Sequence, residues 1–203
     1  MPSSSPGKRR TKDEKRPLVV ALTGASGSIY GIHLLRRLRA FPAIETHLVI
    51  SRNAEQVIGL ETDWTPARIR KLADRVWDPE ELAAPIASGS FRTAGMVIAP
   101  CSIKTLAAVA GCHAADLITR AADVTLKERR PLVLVVRETP LHAGHLRCMM
   151  EATQAGATIL PPVPAFYSRP RSIADLVDQT AGKVLDVLGL DDPMYSRWQG
   201  GRS

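Results

Sequence analysis

Residues 17–31 read PLVVALTGASGSIYG, an apolar run that breaks into a glycine turn. The turn opens SIYGIHLLRRLRAF, a helical stretch whose apolar face is interrupted by Arg36, Arg37 and Arg39, and ETHLVISRNA follows as a second strand. Strand, glycine turn, helix, strand is a βαβ opening, and its right-handed crossover sets the two strands parallel. Further along, AGMVIAP, PLVLVVRET and GATILPP read as short strands. They alternate with CSIKTLAAVAGCHAADLITRAADVTLKERR, two helices parted near Gly111, with the helix HAGHLRCMMEATQAG, and with the closing amphipathic helix RSIADLVDQTAGKVLDVLGL. Between Glu55 and Pro85 the chain reads as helical or irregular, with Thr65 as an N-cap and Pro66 at the first helical position. Short strands alternating with helices predict an α/β fold, a Rossmann-like three-layer sandwich with a mostly parallel sheet.

The chain has 203 residues, enough for one domain with a sizeable core. No apolar run approaches the roughly 18–20 residues that span a bilayer, and no apolar segment of signal-peptide type stands near residue 1, so the cytoplasm is expected. The net charge of +7 is uneven: residues 1–16 hold six basic and two acidic side chains, leaving +3 for the rest. A disordered basic leader over 1–16 and a single domain over 17–203 are expected, with no specific nucleic-acid partner, since no zinc-finger spacing or RNA-binding signature accompanies the charge. Cys101, Cys112 and Cys148 form no CxxC pair, which argues against a disulfide framework and a structural zinc site. Cys112 and Cys148 read as small buried side chains. His142 and His145 lack a nearby carboxylate triad, so no metal is expected.

In such a sheet, ligands gather at the carboxyl ends of the strands. Gly24, Gly27 and Gly31 have GxxGxxxG spacing, which suits either a plain tight turn or backbone donors approaching a phosphate or flavin edge. A nicotinamide dinucleotide asks for an acid at the end of the second strand, where Ser51-Arg52-Asn53 stand instead; Arg52 would suit only a 2′-phosphate. No Tyr-xxx-Lys relay occurs. PCSIKT brings Cys101, Ser102, Lys104 and Thr105 to the start of a helix, ground for a phosphate or flavin ring, or simply an N-cap at Ser102. Arg120 and Lys127 share a helix face, and Asp123 and Lys127 have i,i+4 spacing, as a solvated salt-bridge face also would. Arg137-Glu138 follow the clearest strand, a pairing suited to anion binding plus acid/base chemistry by a partly desolvated carboxylate. Prolines stiffen LPPVPAFYSRP, which carries Tyr167; packing accounts for Phe166.

Together TGASGSIYG, ETHLVIS, LETD, SGSF, PCSIKTLAAV, RAADVTLKERRPLVLVVRETPLH, PPVPAFY and RWQG resemble the flavin prenyltransferases, the UbiX/Pad-type family, from about residue 17 to residue 200. The resemblance implies transfer of a dimethylallyl group from dimethylallyl monophosphate to N5 and C6 of reduced FMN, without a metal. It implies that the prenylated FMN passes to a separate UbiD-type decarboxylase, and that the protein forms a homo-oligomer, usually a dodecamer, with sites at subunit contacts. By matching motif it assigns Gly24, Ala25, Ser26, Ser51, Ser102, Ile103, Lys104, Thr105 and Arg137 to FMN. It assigns Glu61, Arg120, Lys127, Tyr167 and Lys183 to the prenyl phosphate and the reacting flavin edge, and Glu138 and Ser26 to proton movement. Lys183 stands where the family often carries Arg, keeping the charge but losing the bidentate fork. Two other readings make different demands: a related flavoprotein decarboxylase wants a His at the start of the first helix, where this chain has Ser28-Ile29-Tyr30, and an FMN storage protein would leave Glu138 without a purpose.

Overall fold

Strand β1 (Arg16–Leu22) is central because both its faces are apolar. Leu18, Val20 and Leu22 enter one core and Val19 and Ala21 the other, the period-2 alternation of a strand buried on both sides. The computed structural model of the protein describes residues 15–198 and 200. The expected leader over 1–16 lies outside them except for Lys15 and Arg16, and Arg16 is already the first residue of β1, paired with Ile44.

β1 is flanked by β2 (Ile44–Ile50) and β4 (Gly95–Cys101). Beyond them lie β3 (Arg75–Trp77), β5 (Leu132–Val136) and β6 (Ala157–Ile159), in the order β3-β2-β1-β4-β5-β6. Every pairing is parallel, so the expected sheet is present and is parallel throughout rather than mostly. Helices α1 (Ser28–Leu38), α2 (Arg52–Glu61), α3 (Pro66–Arg70) and α7 (Ile173–Val187) bury Leu35, Ile58, Ile69 and Leu185 in the first core. Helices α4 (Ile103–Ala110), α5 (Leu117–Lys127) and α6 (Ala143–Gln154) bury Leu106, Ala122 and Ala152 in the second. Each fully buried Leu or Ile contributes roughly 1.5–3 kcal/mol. Among the described residues no helix is long and apolar enough to cross a membrane.

Two expectations need correction. The second strand stops at Ile50, and Ser51, itself extended, caps α2 by accepting the Ala54 N–H at 3.1 Å, so Arg52-Asn53-Ala54 are helical rather than extended. The segment after Glu55 also contains a strand, β3, which was read as helical or irregular. β3 is short and lies at the sheet edge, and side chains hold it. The Asp74 carboxylate accepts from the Thr46 N–H at 2.8 Å and from its hydroxyl at 2.9 Å, and Trp77 Nε1–H donates to His47 Nδ1 at 3.1 Å. Thr65 and Pro66 start α3 as expected.

The chain leaves β1 toward β2 and β3, then returns to β4 on the other side, so the sheet parts between the ends of β1 and β4. Hydrogen bonds close this end: the Thr23 hydroxyl donates to Pro100 O and accepts from Ser102 N–H, both at 2.8 Å. Ser51 N–H donates to Leu22 O at 3.0 Å, and Arg137 N–H to Cys101 O at 3.1 Å. Gly31 lets α1 lie directly over this region, since a Cβ there would strike the Ala99 carbonyl and come within 2.9 Å of Leu22 Cγ.

Thr23→Val keeps the shape but leaves the Ser102 N–H unpaired in a buried place, while Pro100 O keeps only the residue-23 backbone N–H at 3.2 Å. It should cost about 1–3 kcal/mol, read as a lower urea midpoint at unchanged slope, while Thr23→Ser should lose less. Burial holds the His47 imidazole below its ordinary value of 6.5, against the opposing pull of Glu45. The unfolded chain therefore takes up the proton first, and stability present above about pH 6.5 is lost as the pH falls. In His47→Gln this part of the pH dependence of the urea midpoint should flatten.

Candidate active site

The ends of β1, β2 and β4 enclose a cleft of about 250 Å³ lined by Gly24, Ser51, Arg52, Ser102, Lys104 and Thr105, with Glu80 and Asp116 on its rim. Ser102 caps α4 by accepting the Thr105 N–H at 3.3 Å, and the two hydroxyls lie 3.1 Å apart. Ser51 does the same for α2. Both readings of Ser102 hold together, because a capping hydroxyl at a helix N-terminus also faces whatever the cleft admits. Hydroxyls, helix N–H groups and the Lys104 ammonium form a donor set suited to a phosphate monoester, which is how FMN presents its charge. Gly24 permits the approach of the first loop to α2, since a Cβ there would come within 2.5 Å of Asn53 Cβ. Ala25 is buried, Ser26 half-buried, and Ile103 packs on the second core, so these three share the cleft's loops without lining it.

Arg52 is engaged by carboxylates. It grips both oxygens of Asp78 at 2.9 and 3.2 Å and approaches Glu80 at 3.8 Å. The backbone N–H of Glu80, together with Arg52, holds the Asp78 carboxyl below its ordinary range. In the protomer Arg52 is thus held on these exposed carboxylates, at the edge of the cleft.

Glu61, at the end of α2, accepts the Gly27 N–H at 2.7 Å, across the mouth of α1. Gly27 has φ 98°, the left-handed region that glycine tolerates, with the Tyr30 ring 3.0 Å from where a Cβ would sit. Arg137 projects near Tyr30, whose hydroxyl is raised by burial against the opposing charge of Arg137. Glu138 is exposed in the chain, with Oε1 accepting the Thr139 N–H at 2.9 Å, so the partly desolvated carboxylate expected there is not present in a single protomer.

Tyr167 and Lys183 line a second cavity of about 600 Å³ at the end of β6, which shares no lining residue with the cleft. Gln179 Nε2–H donates to the Tyr167 hydroxyl at 2.7 Å, and Lys183 donates to Asp186 at 2.9 Å. Phe166 is 71% exposed, so packing does not account for it. Arg120 and Lys127 stand elsewhere again, on α5. Arg120 donates to Ala87 O at 3.1 Å and pairs with Asp123 at 2.8 Å, while Lys127 pairs with Glu128 at 2.5 Å. The expected Asp123–Lys127 pair is not formed. At 1.5 Å per residue Lys127 lies about 16 Å along the helix from Asp116 on the cleft rim.

Cys101 is buried and its thiol is pushed far up by that burial, which removes it as a nucleophile. Cys112 is exposed and Cys148 half-buried, against the expectation that both are buried. His142 Nδ1 accepts the Gly144 N–H at 3.0 Å as the cap of α6. Among the described residues no group of three or more His, Cys, Asp or Glu stands together as a metal site. Sequence reading missed Gln179, Asp186 and Arg197 around the second cavity; the spacing of Gln179, Lys183 and Asp186 along one face of α7 was the available signal.

The model of the Flavoprotein family matches residues 6–187. The flavin prenyltransferase UbiX of Escherichia coli K12 is 55% identical over 185 residues, 90% of this chain and 98% of the relative. A crystal structure of AnUbiX (PadA1) in complex with FMN and dimethylallyl pyrophosphate superposes with a TM-score of 0.91 at 53% identity, covering 93% of this chain and all of that one. A dodecameric FMN-dependent UbiX-like decarboxylase from Escherichia coli O157:H7 has a TM-score of 0.88 at 47% identity, covering 91% and 100%. With more than half of the residues identical over nearly the full length of a UbiX relative, and the same fold at a TM-score of 0.91, the chain belongs to the flavin prenyltransferases of the Flavoprotein family.

Proposed function

We propose that the protein transfers the dimethylallyl group of dimethylallyl monophosphate to reduced FMN at N5 and C6, giving prenylated FMN for a separate UbiD-type decarboxylase. The cleft between β1 and β4 carries the reading: its hydroxyls, helix N-termini and single ammonium suit a mononucleotide phosphate, and the neighbouring Arg52 is already neutralised. Ser51, Ser102, Lys104 and Thr105 hold the FMN phosphate, while Gly24, Ala25, Ser26, Ile103 and Arg137 frame the rest of the cofactor. When bound, reduced FMN supplies an electron-rich ring that accepts the allyl group.

Tyr167 and Lys183 receive the phosphate of the prenyl donor. In the protomer Lys183 is paired with Asp186, and Arg120 and Lys127 lie on a different helix. A homo-oligomer therefore completes the site, with Arg120 and Lys127 of the partner subunit adding the charge that an allylic phosphate dianion needs as its C–O bond breaks. Exposed Leu141, Leu146, Met150, Val163, Phe166 and Ile173 support subunit contacts of this kind, and a dodecamer is the assembly we assign. Glu61 fixes the glycine turn through the Gly27 N–H. Subunit contact desolvates Glu138, which then takes the proton that C6 loses, and Ser26 takes part in proton movement toward the departing phosphate. Charge neutralisation falls to these side chains, so the reaction is metal-independent. Three free cysteines accord with a cytoplasmic protein.

Anaerobic incubation of the protein with reduced FMN and dimethylallyl monophosphate should give a flavin heavier by one prenyl unit, with free phosphate. An unchanged flavin mass in the presence of folded protein overturns the reading. Glu138→Gln should slow flavin prenylation by about 10²-fold or more while FMN affinity stays close to wild type; loss of FMN alone would assign Glu138 to binding.

A further inference from the structure

The second cavity contains a cation that the family resemblance does not assign. Residues 191–198 fold back across α7 and close one side of it. Gln179 Nε2–H donates to Ser196 O at 3.1 Å, and the Tyr195 ring lies against Gly182, where a Cβ would come within 2.6 Å of it. This strap carries Arg197 into the cavity beside Lys183, Tyr167 and Trp198. Among the described residues lining the cavity, Arg197 is the only guanidinium.

Arg197 and Lys183 converge on one carboxylate. Lys183 Nζ donates to Asp186 Oδ2 at 2.9 Å, and Arg197 donates to Asp186 Oδ1 through Nη2 at 2.9 Å and Nε at 3.1 Å. The remaining end of the fork, Nη1, meets Asp191 at 3.1 Å. Lys183, and after it Arg197, hold the Asp186 carboxyl below its ordinary range, so it stays an anion. Two cations thus share one carboxylate inside the cavity, Asp186, with the exposed Asp191 outside it, where the proposed substrate brings a phosphate. A phosphate monoester offers more charge and more oxygens than one carboxylate, and the Arg fork fits it in a way an ammonium does not.

We propose that Arg197 is a further binding residue for the phosphate of the prenyl donor, and that Asp186 is the anion that Arg197 and Lys183 exchange for it. Asp186 holds the two cations in position before the phosphate arrives and takes them back as inorganic phosphate leaves. This rests on the reading that the Tyr167–Lys183 cavity receives that phosphate. It places a guanidinium from the strap beside the ammonium of Lys183.

The test uses the full-length protein with inorganic phosphate as the probe. Binding is read by calorimetry and by competitive inhibition against dimethylallyl monophosphate, with FMN affinity and thermal midpoint measured in parallel. Arg197→Gln should weaken phosphate about tenfold and raise KM for the monophosphate. Arg197→Lys should recover only part of that loss. Asp186→Asn, nearly isosteric, should act in the opposite direction and tighten phosphate several-fold. If the pair only staples the strap to α7, both substitutions break the same contact and shift phosphate binding in the same direction. Equal direction, or no change in Arg197→Gln, overturns the proposal. Wild-type protein that neither binds phosphate nor consumes dimethylallyl monophosphate overturns the parent reading instead.

Discussion

One buried hydroxyl fixes the width of the gap on which the cofactor cleft depends. A sheet ordered β3-β2-β1-β4-β5-β6 must part where the chain reverses direction, because the loops after β1 and β4 turn to opposite faces. The Thr23 hydroxyl bridges that parting, giving its proton to Pro100 O and taking the Ser102 N–H. It sits 2% exposed between the two groups, and Pro100 O also accepts the Thr23 N–H at 3.2 Å, so residue 23 holds the β4 loop through both its hydroxyl and its backbone. Because Ser102 is also the cap of α4, the same bond sets where that helix begins and which way its first N–H groups point. Positioning of the cleft thus comes from backbone pairing, with side chains added on loops that are already fixed.

Much of this was legible in the sequence. β1, β4 and β5 are apolar on both faces, a pattern that few local alternatives compete with, and the turn residues between Thr23 and Gly31 announce a strand-to-helix passage. The caps at Thr65 and Ser102 were readable because a hydroxyl before a helical run has a local purpose. β3 was not, since its three residues are extended because they pair with β2 and because Asp74 and Trp77 reach partners there, a tertiary cause with no local trace. The end of β2 was misjudged for the opposite reason: Ser51-Arg52-Asn53 has no strong preference, and the cap at Ser51 decides it. Residue types located the cleft, but pairings such as Arg52 with Asp78 join positions 26 apart and could not be read from spacing.

Many of the site residues assigned by resemblance stand apart in one protomer, in the cleft, in the cavity beside α7 and on α5, with Glu61 at the glycine turn and Arg137 and Glu138 after β5. The separation follows from the fold, since α7 covers the first core and α5 the second, with the sheet between them. A sequence motif carries no record of which copy of the chain a residue serves, so motif matching finds the members of such a site without revealing that they are apart. Glu138 illustrates the same point: exposed in the isolated chain, it looks like an ordinary surface group, and the role proposed for it depends on a neighbouring subunit.

The Gly27–Glu61 bond has a wider meaning when the helix ends around the cleft are compared. Four helices begin near this edge, and each N-terminus attracts negative charge. The mouth of α1 is already answered by the Glu61 carboxylate, and that of α5 by its own capping Asp116. Only α2 and α4 are capped by neutral hydroxyls. The protein has therefore filled two of its four anion seats from within, which steers an incoming phosphate away from the helix that follows the glycine turn and toward the pair that flank it.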